Sequence, residues 1–146
     1  MAEHKVISVF GEAIEIVVSS KSTNYQCCVG IQTSPPGGGP PPHMHEREEE
    51  TFMVLEGEYE FFDNGKWVAF RRGETRCSLR GTMHAFRNSG SMPGKMMFIT
   101  NAGGLDEYFA EISPLILPKD MDRLTEISKH FGYVFMAPNP PPSEAY

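Results

Sequence analysis

Cysteine is scarce in this chain, and its scarcity removes several chemistries at once. Three cysteines cannot all pair, and Cys27 and Cys28 are neighbours whose bridging would be strained, so no disulfide framework is expected. None sits in a CxxC pair, which leaves no thiolate zinc site. Long apolar runs are missing too: no stretch of about 18 hydrophobic residues is present to cross a membrane. The first residues, Met1-Ala2-Glu3-His4-Lys5, lack a basic segment leading into an apolar one, so no secretory signal is read and a cytoplasmic location is expected. Positive charge is also short. With 13 Lys and Arg against 19 Asp and Glu, the net charge is −6, and phosphate backbones require clustered cations. The expected partner is a small molecule rather than nucleic acid or a membrane.

Turn formers are plentiful, with 14 Gly and 12 Pro, and they cut the chain into short strand-like pieces. Residues 6–18 form a β-branched run broken at Gly11, readable as two strands, and 25–33 as another. Residues 34–42, SPPGGGPPP, are turn-forming. The run from Glu50 reads as a strand ending at Gly57, followed by a strand over 59–62. Asp63-Asn64-Gly65 marks a hairpin, because Asn-Gly accepts positive φ, and 66–70 returns. Strands over 75–79, 84–87 and 95–101 complete the pattern, with turns at 72–74 and 80–82. Short strands at this pace predict an all-β barrel or sandwich, within one domain over 1–146.

Beyond Gly104 the period changes. Leu105, Tyr108, Phe109 and Ile112 recur at helical spacing, as do Met121, Leu124, Ile127 and Phe131. This predicts one or two amphipathic helices within 104–132 that close the barrel, with Asp120 as N-cap and Gly132 as the stop. The proline-rich tail from Pro138 is expected to be loose.

The residues that carry chemistry lie between these regions. His43-Met44-His45 places two imidazoles at i and i+2, on one face of a strand, as two ligands of one metal ion require. Glu50 lies at an odd offset and can join them only if the chain turns within Glu46-Arg47-Glu48-Glu49, a tract suited to solvent. His84 comes from a separate hairpin. Singly, each is commonplace: lone histidines usually sit on surfaces, and glutamate clusters usually face water. Together, three imidazoles and one carboxylate suit a divalent ion and leave positions open.

The spacing Gly37-(5)-His43-x-His45-(4)-Glu50-(6)-Gly57 over 37–57 resembles the first cupin motif, and Gly73-(5)-Leu79-x-Gly81-(2)-His84-(3)-Asn88 over 73–88 resembles the second. Leu79 stands where that pattern has proline, a non-ligand position. The C-terminal segment is similar, more loosely, to the ending of small quercetinase-like monocupins. The resemblance implies a double-stranded β-helix (a jelly-roll barrel), a homodimer, and one divalent ion per chain on His43, His45, Glu50 and His84, with Glu48 and Glu49 as rival carboxylates and Asn88 structural. Iron, manganese, nickel, cobalt, copper and zinc all suit such a donor set.

Strand parity proposes Phe52, Val54, Tyr59, Phe61, Cys77 and Phe86 as the pocket lining, with either Met97 and Ile99 or Met96 and Phe98 from the last strand; Met97 and Ile99 are taken as the lining pair. Such a pocket is aromatic and poor in cations, and suits a flat apolar enol or phenol. The expected activity is a dioxygenase in which Glu50 acts as general base; a polyketide cyclase, isomerase, decarboxylase or lyase without redox chemistry, or a non-catalytic binding cupin, are the alternatives.

Overall fold

Alternating burial sets the strands of the computed structural model, which describes residues 4–136. Along β5, Glu50–Glu56, residues Glu50, Phe52 and Val54 turn inward while their neighbours are half-covered. The same alternation runs through β3, Cys28–Ser34, and β10, Gly94–Thr100. The other strands are β1 (Lys5–Val9), β2 (Glu12–Val18), β4 (His43–His45), β6 (Tyr59–Asp63), β7 (Lys66–Phe70), β8 (Thr75–Ser78), β9 (Ala85–Asn88) and β11 (Tyr133–Phe135).

All pairings are antiparallel. A six-stranded sheet runs β1-β2-β3-β10-β5-β8, a three-stranded sheet runs β7-β6-β9, and β11 pairs with β4. Aromatic rings fill the space between the larger sheets: Phe52 of β5 meets Phe61 of β6 at 5.7 Å and Phe86 of β9 at 5.5 Å between centroids. The fold is a jelly-roll β-barrel with helices at its C-terminal side. Asn64 and Gly65 both take positive φ, 49° and 77°, as the β6–β7 hairpin requires.

Register decides the choice that parity left open on β10 and reverses the phase it assigned on β8. On β10, Phe98 lies opposite Phe52, and Met96 opposite Val54, so Met96 and Phe98 enter the core. Met97 and Ile99 therefore face outward, Ile99 with 37% exposure, and the pocket role expected for them is corrected. On β8, Ser78 pairs with Glu50 and Arg76 with Phe52, so Arg76 and Ser78 share the inward face. Cys77, with Thr75 and Leu79, takes the opposite, exposed face. Lesser differences are at edges: the third strand starts at Cys28 because Tyr25 adopts positive φ, and His84 precedes β9.

Two helices follow, α1 (Leu105–Ile112) and α2 (Met121–Phe131). Leu105, Tyr108, Ile112 and Ile127 bury their faces in the core. Asp120 occupies the N-cap position but does not cap: its carboxylate accepts from the Ile116 amide at 2.8 Å. Gly132 ends α2 in the left-handed region, its amide reaching the Ser128 and Lys129 carbonyls. The chain then re-enters as β11, which hydropathy could not announce because three residues are too few to show a period. The tail from Pro138 lies outside the described residues.

Candidate metal centre

His43 and His45 project from β4 into the barrel, and both are buried. A backbone bridge delivers the third imidazole. The His43 amide donates to the His84 carbonyl at 2.9 Å, and the His84 amide to the His43 carbonyl at 2.8 Å. Glu50 opens β5 after the 46–49 turn, which is anchored where the Glu46 amide meets the Gly132 carbonyl at 2.9 Å.

The four side chains converge: one donor atom from each of His43, His45, Glu50 and His84 lies within 4.8 Å of the others, and all four residues are buried. His43 Nε2 is 3.1 Å from His45 Nε2; Glu50 Oε2 is 3.2 Å from His45 Nε2 and 3.4 Å from His84 Nε2. Two donors held about 2.1 Å from one ion lie about 3.0 Å apart at a right angle and about 3.4 Å apart at a tetrahedral angle. These three spacings fall in that interval, and the remaining pairs lie within 4.8 Å.

The outer nitrogens fix the tautomers. Nδ1 of His43 faces the Pro41 carbonyl at 2.9 Å, Nδ1 of His84 the Thr82 carbonyl at 3.1 Å, and Nδ1 of His45 the Glu48 carboxylate at 2.9 Å. Each acceptor places the proton on Nδ1 and leaves the Nε2 lone pair facing the centre. Lone pairs so opposed cannot hydrogen-bond one another, and His84 Nε2 is buried without a partner. A cation among them resolves the conflict, so the residues fit a divalent ion. Burial, reinforced by the neighbouring His84 and His45, holds the His43 pKa well below its ordinary value and keeps that ring neutral, the form that ligates. Burial also pulls on His45, but the Glu50 and Glu48 carboxylates outweigh it and raise its pKa.

Glu48 is not a rival ligand. It is buried, and it accepts from His45 Nδ1 and, at 2.7 Å, from the Tyr133 hydroxyl of β11. Burial and the adjacent Glu48 charge raise the Tyr133 pKa, so that hydroxyl remains a donor. Phe135, two residues on, stacks on His43 at 5.2 Å. Glu49 turns outward instead, to Arg80 and Asn101. The i, i+3 spacing of His45 and Glu48 was the available signal for the missed role.

A cavity of about 190 Å³ opens beside the cluster, walled by Phe61, Arg76, Ser78, Thr82, Met83 and His84 among others. Of the expected pocket residues, Phe61 and Cys77 lie along it, Cys77 being the exposed residue between Arg76 and Ser78. Phe52 packs against His84 at 5.6 Å and Phe86 packs against Phe52. Val54 and Tyr59 belong to the core. Arg76 is the single Lys or Arg on a wall expected to hold few cations. Asn88 is structural as expected, donating to the Ser34 and Met92 carbonyls and accepting from the Gly90 amide.

Comparison with known proteins agrees with the fold. The family model described as Cupin domain matches residues 30–100, which contain all four converging side chains. Those residues form a cupin domain. Among curated proteins, this cupin is 39% identical over 57 residues to the oxalate-binding protein of Thermotoga maritima, covering 39% of this chain and 47% of the relative. It is 29% identical over 94 residues to quercetin 2,3-dioxygenase of Bacillus subtilis, covering 64% of this chain and 28% of the relative. The cupin thus matches less than half the length of either. Among solved structures it resembles a predicted oxalate decarboxylase from Thermotoga maritima with a TM-score of 0.59 and 26% identity, covering 68% of this chain and 91% of the other. Among the described residues, no helix is long and apolar enough to cross a membrane.

Proposed function

We propose that this cupin is a metal-dependent enzyme acting on a small enol- or phenol-type substrate, and that its reaction is a dioxygenation placing both atoms of dioxygen in the product. The observation that carries the reading is the meeting of three tautomer-fixed Nε2 lone pairs with the Glu50 carboxylate beside an open cavity. A bound divalent ion supplies Lewis acidity there and, for a redox-active metal, an electron relay to dioxygen. With three neutral imidazoles and one carboxylate, the residues leave about one positive charge on such a centre, which favours an anionic oxygen. Glu50 takes the substrate hydroxyl proton as general base, being the one acidic side chain in the converging set. Phe61 forms an apolar wall that excludes water, and Phe52 and Phe135 pack against His84 and His43 to hold the rings in place.

Similarity to a quercetin dioxygenase supports the redox form, and similarity to a predicted oxalate decarboxylase supports a non-redox form. In the second form, the same base and Lewis acid serve decarboxylation, isomerisation, cyclisation or lyase chemistry. An oxygen electrode with metal-replete protein and a panel of flavonols and 1,3-diketones separates them. Uptake supports the dioxygenase. Turnover that persists without oxygen or with zinc in the site supports the second form, and tight binding without product supports a carrier. A homodimer in the cytoplasm belongs to the same proposal, and sedimentation of the purified protein tests the assembly.

A further inference from the structure

Four buried side-chain polar atoms among the described residues lack a hydrogen-bond partner, and two of them, His84 Nε2 and Arg76 Nε, belong to residues lining one cavity. The metal reading accounts for the first. The second remains, because burying a guanidinium donor without an acceptor is costly and native folds rarely leave one so. The Arg76 side chain makes no hydrogen bond among the described residues. Its Nε is buried while the side chain as a whole is 34% exposed, so its terminal nitrogens reach the open side of the cavity. Its nearest carboxylate, on the exposed Asp63, is 3.8 Å away, too far for one. Instead its guanidinium lies 5.8 Å from the Phe61 ring centroid and 5.7 Å from that of Phe70, held by two aromatic faces. A cation fixed in place with its donors unspent is a preformed receptor for an anion.

We infer that Arg76 is the specificity residue of this cavity, receiving a substrate carboxylate while an enolic or phenolic oxygen of the same molecule faces the His43, His45, Glu50, His84 centre. The inference deepens the proposed function and rests on it for the position of that second oxygen. Register gives the spacing. Arg76 lies opposite Phe52 and Ser78 opposite Glu50, so Arg76 sits two residues along the ladder from the level of the centre, about 7 Å. Among the cavity's lining residues Arg76 is the one permanently cationic side chain, with Asp63 beside it, which suits a single-charged carboxylate and not a phosphate dianion. Size agrees. A cavity of about 190 Å³ is smaller than the roughly 300–1,000 Å³ usual for drug-sized ligands. The substrate class is therefore a small enolic or phenolic acid, with its carboxylate across roughly one ring's width from the reacting oxygen, rather than a flavonol lacking a carboxylate.

The test uses metal-loaded protein and two matched probes, 3,4-dihydroxybenzoate and 4-methylcatechol, which share the dihydroxy end and differ in the carboxylate. Calorimetric titration of the wild type should show the acid bound roughly ten- to a hundredfold more tightly, the span of one charge-assisted contact. Arg76→Gln should bring the affinities of the two probes together while metal content is retained, and Arg76→Lys should keep part of the preference. Equal binding of the two probes by wild type, or a preference that survives in Arg76→Gln, would overturn the inference. The proposed function fails differently: wild-type protein without metal and without catechol affinity removes the metal reading. In that event, binding of the acid that still depends on Arg76 upholds the carboxylate site, and its absence overturns that too.

Discussion

Glu48 shows how one buried carboxylate changes the reading of a site. In sequence it stands in a run of acids that looks like a solvated face, and only the return of β11 puts Tyr133 over it and closes it from water. Its bond to His45 Nδ1 sets the ring's tautomer and strengthens its lone pair. Glu48→Gln should weaken divalent-metal affinity by about ten- to a hundredfold while Glu50→Gln, which alters a converging donor, weakens it further. Competition with a chromophoric chelator measures both, and an unchanged affinity in Glu48→Gln would remove its orienting role. The candidate ligands themselves were legible because chemistry, not packing, chooses them: histidine at i and i+2, a glutamate and a distant histidine in a glycine frame make one consistent pattern. Arg76 was not, because parity counted from Cys77 had the wrong phase, and only the pairing of β8 with β5 sets it.

At the scale of elements, strands with clean alternation were readable and the pieces that depend on tertiary contact were not. β5 and β10 could be drawn from hydropathy, though the buried face of β10 needed Phe52 and Val54 as cross-strand partners to be chosen. β11 exists because Gly132 turns α2 back onto β4 with φ of 81°. A side chain there would be strained, and an added Cβ would lie 3.0 Å from Arg47 Nε. Gly132→Ala should lower stability by about 1–2 kcal/mol in chemical denaturation, the cost of a left-handed residue with a Cβ; no loss would mean that β11 docks independently of this turn. The 46–49 turn is tied outward by Glu49, whose carboxyl pKa is pushed down to about 2 by hydrogen bonds from Arg80 and Asn101. A depressed carboxyl stabilises the fold above its ordinary range, and that contribution disappears as pH falls through about 2. Arg80→Ala should therefore be less stable than wild type at neutral pH by a constant margin that shrinks between pH 4.5 and about 2, followed by denaturation at several pH values. A margin that grows in acid would contradict the pairing.

For the whole molecule, the barrel brings β4 and β5, which are neighbours in sequence, together with the distant approach to β9, so the centre is complete only when the sheets are closed. Metal binding and folding are then linked. Divalent metal at about a hundred times its dissociation constant should add about 2.7 kcal/mol of stability, and a chelator should take it away, as thermal melts can follow. A melting temperature indifferent to both would count against the link. The barrel class was legible from turn spacing, and its closure was not, since which strands meet across the core depends on contacts between distant aromatic rings such as Phe52, Phe61 and Phe86. The most direct measurement of the account's central claim is elemental analysis of protein purified without chelator, with His84→Ala prepared in parallel. The account predicts about one first-row divalent ion per chain in the wild type and its loss in the variant, whose other donors cannot close the site. Equal metal content in the two proteins, or none in the wild type after incubation with each candidate ion, would contradict it.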